Sequence, residues 1–336
     1  MTDPTPTSRG LDRADLWYAL RRSVRGFWRH RGLDNAAALT FYAAVALFPG
    51  SLVLVSIFAL AAGGKQAAID RITDILAEFT RESTVDAVRG PLRELLNLPN
   101  PGIALAIGLV VGIYAVSSYA TSFGRAMNSV YEVQEGRRFL KFRVLMILVA
   151  LVLISGFAII ATILLGTPTV AGAIGANVGI SPAAIVAWNV LKWPVLVVIA
   201  FGIIGIIYFF TPNVRHLRLR WVSWGAAFAL VGWGVVTAGF GLYIITFDAY
   251  NRVYGWLGGG LALLVWLYIT NLVLVLGAEV DAEIVRLRQL TAGIGAESTI
   301  QLPLRDTARN LTLARQQAQD EAEGRRIREQ AAAKRD

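Results

Sequence analysis

At 336 residues, 55% hydrophobic and only 16% charged, the chain is too apolar for a soluble globular domain, in which about a quarter of residues are charged. A net charge of +9 invites a nucleic-acid partner, but the basic residues sit where a bilayer protein needs topology anchors, and nucleic acid is set aside. Cysteine is absent, which excludes disulfides, thiolate catalysis and Cys-ligated metal.

Residues 1–14 begin Thr/Pro-rich and predict a disordered N-terminus. Leu16, Leu20, Val24 and Phe27 then recur at helical spacing, with Trp17 and Trp28 beside them and Arg21, Arg22, Arg25 and Arg29 opposite. That pattern predicts a basic amphipathic helix lying in the inner membrane interface. A helix packed against the end of a bundle satisfies it too.

Six apolar runs follow, at about 36–62, 103–122, 144–165, 183–210, 221–247 and 256–278. Each is long enough to cross a hydrocarbon core of about 30 Å as a helix. The first reads as an uncleaved signal anchor, because it is longer than a signal-peptide core and follows a hydrophilic segment. Between the first two runs, Ile69, Ile72, Leu76 and Phe79, then Val85, Val88, Leu92, Leu95 and Leu96, predict two outer amphipathic helices at about 66–98. Pro99-Asn-Pro101-Gly102 breaks the chain ahead of the second run. Residues 15–290 are thus the membrane domain, and 291–336 read as a polar cytoplasmic tail with no apolar face for a core.

With the N-terminus inside, 25 of the 32 basic residues fall on inner segments and 6 on outer ones, leaving Lys192 within a span. The expected architecture is an all-α polytopic membrane protein of six spans, both termini cytoplasmic, in a bacterial plasma membrane. Its inner arginines are placed to meet anionic lipid.

Polar residues inside spans are functional candidates by default. Lys192 stands roughly 13 Å into the fourth span, with Asn189 three residues earlier on the same face. It either lines a cavity, with Asp248 as a partner, or snorkels beside Trp188 and Trp193. Toward the inner half lie Thr40, Tyr42, Tyr114, Ser117, Ser118, Thr121 and Asn271. The Ser and Thr hydroxyls suit helix–helix glue, whereas Asn271 is costlier to bury. Glu279, Asp281 and Glu283 read as a solvated helix end. Gly108 and Gly112 have the spacing of a helix-packing face, Gly239 and Gly241 would allow near backbone approach, and Gly258–Gly260 would allow either packing or unwinding. The histidines His30 and His216 lie among arginines, and no nucleophile, phosphate-loop or metal-ligand pattern occurs, so neither enzyme activity nor a cofactor is expected.

Three stretches resemble the YihY/BrkB family of bacterial inner-membrane proteins. They are Ala37-Ala-Ala-Leu-Thr-Phe-Tyr-Ala-Ala-Val-Ala-Leu-Phe-Pro49, Tyr208-Phe-Phe-Thr-Pro-Asn213, and Tyr250-Asn-Arg-Val-Tyr-Gly255 continuing to Leu276-Gly-Ala-Glu-Val-Asp-Ala-Glu283. Lys192 belongs to none of them. The resemblance implies a role in envelope integrity, with serum resistance for some pathogens' members. Family members have carried a ribonuclease label, which the missing His/Asp metal cluster argues against here.

The expected function is a transporter or flippase-like protein for an unidentified ion or lipid. Tyr42 and Asn271 would contact cargo from the inner half, Lys192 with Asp248 from the outer half, and Asn189 and Glu279 would border the path. A structural scaffold without a path is the alternative. The glycine faces serve homo-oligomer contacts or packing within the chain equally well.

Overall fold

A computed structural model describes residues 12–61, 100–165, 182–215, 223–246 and 256–334, with isolated positions between 66 and 93. The outer helices expected at 66–98 lie almost wholly outside these residues, as do Asp248, His216 and the Tyr250–Gly255 motif. Eight helices are described: α1 (Arg13–Arg29), α2 (Gly32–Ala61), α3 (Pro101–Val130), α4 (Phe139–Leu165), α5 (Pro182–Phe210), α6 (Trp224–Thr246), α7 (Trp256–Thr291) and α8 (Ala308–Ala333). Among the described residues there is no strand, only an isolated bridge between Val214 and Leu304.

Helices α2 to α7 are long and apolar enough to cross a membrane, in step with the six expected spans. No more than 33% of any spanning window is buried inside the bundle, so most of each apolar surface needs lipid around it. Each helix packs on the next from α2 to α6, α6 packs on α7, and α7 returns to α2, closing a ring. Helix α3 also touches α5 and α7 across that ring.

Local chemistry sets the helix ends. The Asn100 side chain accepts the amides of Gly102 and Ile103 at 2.8 and 3.4 Å, with Pro101 in the first turn, where its missing N–H costs nothing. At the other end, α7 does not stop near residue 278, as its apolar run suggests, but continues to Thr291. Its carboxylates find partners at the end of the bundle that carries α1 and α8, which we term the base.

The core lies in the base half. Tyr119, Phe123 and Tyr208 stack in sequence, with ring centroids 6.4 and 5.7 Å apart. Met127, Met146, Leu153, Ile207 and Val275 fill in around them. Two close helix crossings hold the ring. At α2/α3, a Cβ on Gly108 would stand 3.0 Å from Val53 Cγ2 and 3.3 Å from the Pro49 carbonyl, so this glycine pair serves packing within the chain. At α6/α7, a Cβ on Gly225 would collide with the Gly277 carbonyl, and one on Gly277 would lie 2.7 Å from the Tyr208 hydroxyl. Gly239, Gly241, Gly259 and Gly260 have open space instead, and α7 runs helical through Gly259-Gly260 without unwinding.

The tail reading changes in one respect. Residues 296–306 return to the bundle and bury Ala296 and Ile300, whereas α8 has no buried residue. A short apolar pair inside a polar stretch carries no periodicity, so only its docking site identifies it.

Replacing Gly277 by Leu should force α6 and α7 apart, lowering stability by about 1–3 kcal/mol through overpacking. Gly259→Leu, facing open space, should leave stability within about 0.5 kcal/mol. Equilibrium unfolding in mixed micelles checks both.

Candidate functional site

The carboxylates of α7 lead into the base. Glu279, Asp281 and Glu283 are buried, at 1%, 9% and 2% exposure, which corrects their reading as a solvated helix end. Ionised carboxylates persist in such a place only when paired. Helix α1 supplies much of the pairing. It packs on α7 through Ala19, Ser23 and Gly26, the last leaving room for Glu279, whose Oε2 would stand 2.5 Å from a Cβ there. His30 Nδ1 meets Glu279 Oε1 at 2.8 Å, and Arg22 Nε meets Glu283 Oε2 at 2.9 Å. Arg286, itself buried, pairs with Glu283 at 3.2 Å and donates to the Ala296 carbonyl at 2.6 Å, binding the returning segment. Asp281 accepts the Tyr131 hydroxyl at 3.0 Å; burial first, and then Asp281, push that phenol well above its ordinary range.

Glu132 joins this cluster from the α3–α4 turn. Its carboxylate reaches Arg29 at 3.0 Å, Arg286 at 3.6 Å and His30 at 3.7 Å. Its backbone sits at φ 56°, a left-handed conformation that favours glycine, so its ion pairs hold a residue type the turn itself does not prefer.

A second knot joins three loops. Asn213 donates its amide to Asn128 Oδ1 at 2.7 Å and its side-chain nitrogen to the carbonyls of Gln134 and Asp306 at 3.1 and 2.9 Å. Arg137, buried, donates to the Thr211 carbonyl at 2.6 Å and pairs with Glu135 at 2.6 Å. Burial raises the Glu135 carboxyl, but hydrogen bonds and charge from Arg137 outweigh it and hold the group below the usual carboxylate range. Arg305 donates to the carbonyls of Val214 and Phe209 and lies 5.1 Å from the Phe209 ring centroid. Thus the two sequence stretches at 208–213 and 276–283 build the base clasp.

Within the spanning region, Asn271 is buried and fully engaged. Its oxygen accepts the Tyr119 hydroxyl at 2.9 Å, and its nitrogen donates to Thr40 Oγ1 at 3.2 Å and the Leu267 carbonyl at 3.0 Å. The hydroxyls of Ser117, Ser118 and Thr121 donate back to carbonyls of their own helix. Tyr42 is elsewhere. It lines a cavity of about 340 Å³ on the side of the bundle, with Phe41 and Val45 of α2, Tyr114, Ser118, Ser122 and Arg125 of α3, and Arg143 of α4. Arg125 and Arg143 are the residues sequence reasoning missed, since both read only as topology anchors.

Lys192 and Asn189 stand apart from all of these. Asn189 is exposed on α5, and Lys192, half-buried, donates to its Oδ1 at 3.4 Å and lies 5.8 Å from the Trp193 ring centroid. Of the six sequence candidates, the structure places Asn271 and Glu279 on one helix, each in its own network. Tyr42 opens sideways, Lys192 and Asn189 occupy another helix, and Asp248 is outside the described residues.

Six apolar helices in a ring, closed at one end by a buried charge clasp, define a polytopic helical membrane protein. The chain belongs to the family described as Virulence factor BrkB, whose model matches residues 23–299. It is 27% identical over 257 residues to the ribonuclease-like protein YfkH of Bacillus subtilis, covering 75% of this chain and 90% of that one. UPF0761 membrane proteins are also similar. That of Vibrio campbellii is 26% identical over 74% of this chain and 76% of its own length, and that of Chromohalobacter salexigens 27% identical over 79% and 62%. No solved structure matches the chain.

Glu283→Gln leaves Arg22 and Arg286 facing an uncharged partner and should cost about 3 kcal/mol. Lys192→Met should leave stability within about 0.5 kcal/mol, both read by unfolding in mixed micelles.

Glu135 supplies a pH dependence. Its folded-state carboxyl lies below its ordinary value, so its contribution is present above the usual carboxylate range and is lost as pH falls through the folded value. Limited proteolysis of the 292–334 segment should therefore accelerate as pH falls below the ordinary carboxylate range. Glu135→Gln should cleave rapidly at neutral pH and lose that step.

Proposed function

We propose that this protein is a flippase-like transporter that moves membrane phospholipid along the side of its bundle. The observation that carries the reading is the lateral groove, which sets tyrosine and serine hydroxyls and two arginines beside Phe41 and Val45 at the bundle's edge. The described polar groups of the centre favour it further, because Asn271, Tyr119 and Thr40 are bonded to one another. An amphiphile needs a polar track for its headgroup with its chains left in lipid, and a side-opening groove supplies both.

On this reading the base is cytoplasmic, following the basic bias of the inner segments, in a bacterial plasma membrane whose integrity the protein supports. Helix α1 then lies at the inner leaflet, where Trp17, Leu20, Val24 and Trp28 remain exposed for the interface. No catalytic chemistry is assigned. The ribonuclease-like name belongs to the Bacillus relative, and His30 of this chain is engaged by Glu279.

The scaffold alternative draws on one feature, the 26-residue helix α8, which has no buried residue and offers a polar surface to a partner.

In proteoliposomes, fluorescent phospholipid should cross from one leaflet to the other at least tenfold faster with the protein than without it. Ser118→Trp, which fills the groove, should remove most of that gain, whereas Lys192→Met and removal of 308–336 should preserve it. Acceleration absent from the wild type, with an envelope phenotype for the α8 truncation alone, would give the scaffold reading instead.

A further inference from the structure

Several charges of the base are paired. Arg22, Arg29, Arg137 and Arg286 each meet a carboxylate, and Arg305 is spent on backbone carbonyls. Arg125 and Arg143 differ. Neither has a carboxylate partner among the described residues, and both face the same cavity of about 340 Å³. Arg143 holds its guanidinium 5.1 Å from the Tyr114 ring centroid, which fixes the direction of an otherwise mobile side chain.

Depth settles what such a pair meets. Arg125 lies five residues from the base end of α3 and Arg143 four residues into α4, so both stand about one to two turns inside the helix ends. From Arg125 to Tyr114 the groove follows α3 for roughly 16 Å, about the thickness of one hydrocarbon leaflet. Arg125 is thus at headgroup level, and the Arg143 guanidinium, held against the Tyr114 ring, reaches into the same cavity, which Phe41, Val45 and Ala115 line with apolar surface for a chain.

We infer that Arg125 and Arg143 form a headgroup site for an anionic phospholipid of the leaflet at the base, with the acyl chain along α2 and α3. Two guanidiniums donate several N–H groups to phosphate oxygens, while the site brings no carboxylate to receive a cationic headgroup amine. A net-negative headgroup therefore gains over a zwitterionic one. Ser122, which lines the same cavity within one turn of Arg125, suits a headgroup with neutral hydroxyls. The inference names the lipid class for the groove on which the transport reading rests.

The test uses full-length protein, delipidated and then offered phosphatidylglycerol or phosphatidylcholine in detergent, with retained lipid counted by native mass spectrometry. Wild type should retain phosphatidylglycerol about tenfold over phosphatidylcholine, as expected from charge-assisted bonds to phosphate. The pair Arg125→Gln and Arg143→Gln should abolish the preference, and Ser122→Trp, which keeps every charge, should abolish retention. Arg315→Gln with Arg325→Gln on α8 removes equal charge away from the groove and from α1 and should change nothing. Equal retention of the two lipids, or an equal loss from the Arg315/Arg325 pair, would overturn the inference. Specific retention without translocation in proteoliposomes would uphold the site and sink the transport reading. Translocation without headgroup preference would do the reverse.

Discussion

A carboxylate removed from water must be paired, and in this protein that requirement organises one end of the molecule. Glu279, Asp281 and Glu283 occupy alternate positions on the last spanning helix, buried where bare charge is expensive. Their partners come from α1, from the α3–α4 turn and from further along α7 itself. Three parts of the chain are thereby obliged to meet. The clasp fixes where α1 lies, why α7 outruns its apolar segment, and why residues beyond 291 return to the bundle before α8 leaves it.

Burying ions is a poor way to gain net stability, because desolvation offsets most of the attraction. It is a good way to specify one arrangement, since any slip of α1 along α7 leaves several charges unpaired at once. Helix α1 needs that specification. Its contact with α7 is made by Ala19, Ser23 and Gly26, small residues that allow close approach but define register weakly. The left-handed backbone at Glu132 fits the same account: a locally unfavoured conformation persists because the carboxylate it aims is held by Arg29, His30 and Arg286.

Against this locked end, the flank between α2, α3 and α4 is under-committed. The groove carries arginines without carboxylates beside aromatic and hydroxyl groups. The contrast between the arginines paired in the clasp and the two in the groove separates charges spent on structure from two that meet no carboxylate among the described residues. It also relocates the functional expectation from a central path to the protein–lipid boundary.

The sequence by itself determined the six spans, the all-helical class, the likeness to the BrkB family and the basic bias between segments. These rest on hydrophobic length and residue position, which do not depend on what a residue touches. It also marked Asn271 as costly and Gly108 with Gly112 as a packing face, since both follow from residue type and spacing along one helix. Only the tertiary structure decided the rest. Glu279 and Glu283 read as a solvated end because their partners, His30 and Arg22, lie some 250 residues away in the chain. Lys192 was conspicuous by its place in an apolar run, yet it faces Asn189 and Trp193 on its own helix. Arg125 and Arg143 looked like two more inner anchors until folding put them in one cavity. Hydropathy reports the solvent a segment requires; which charges are cancelled depends on distances between helices, and one-dimensional spacing carries no such distance.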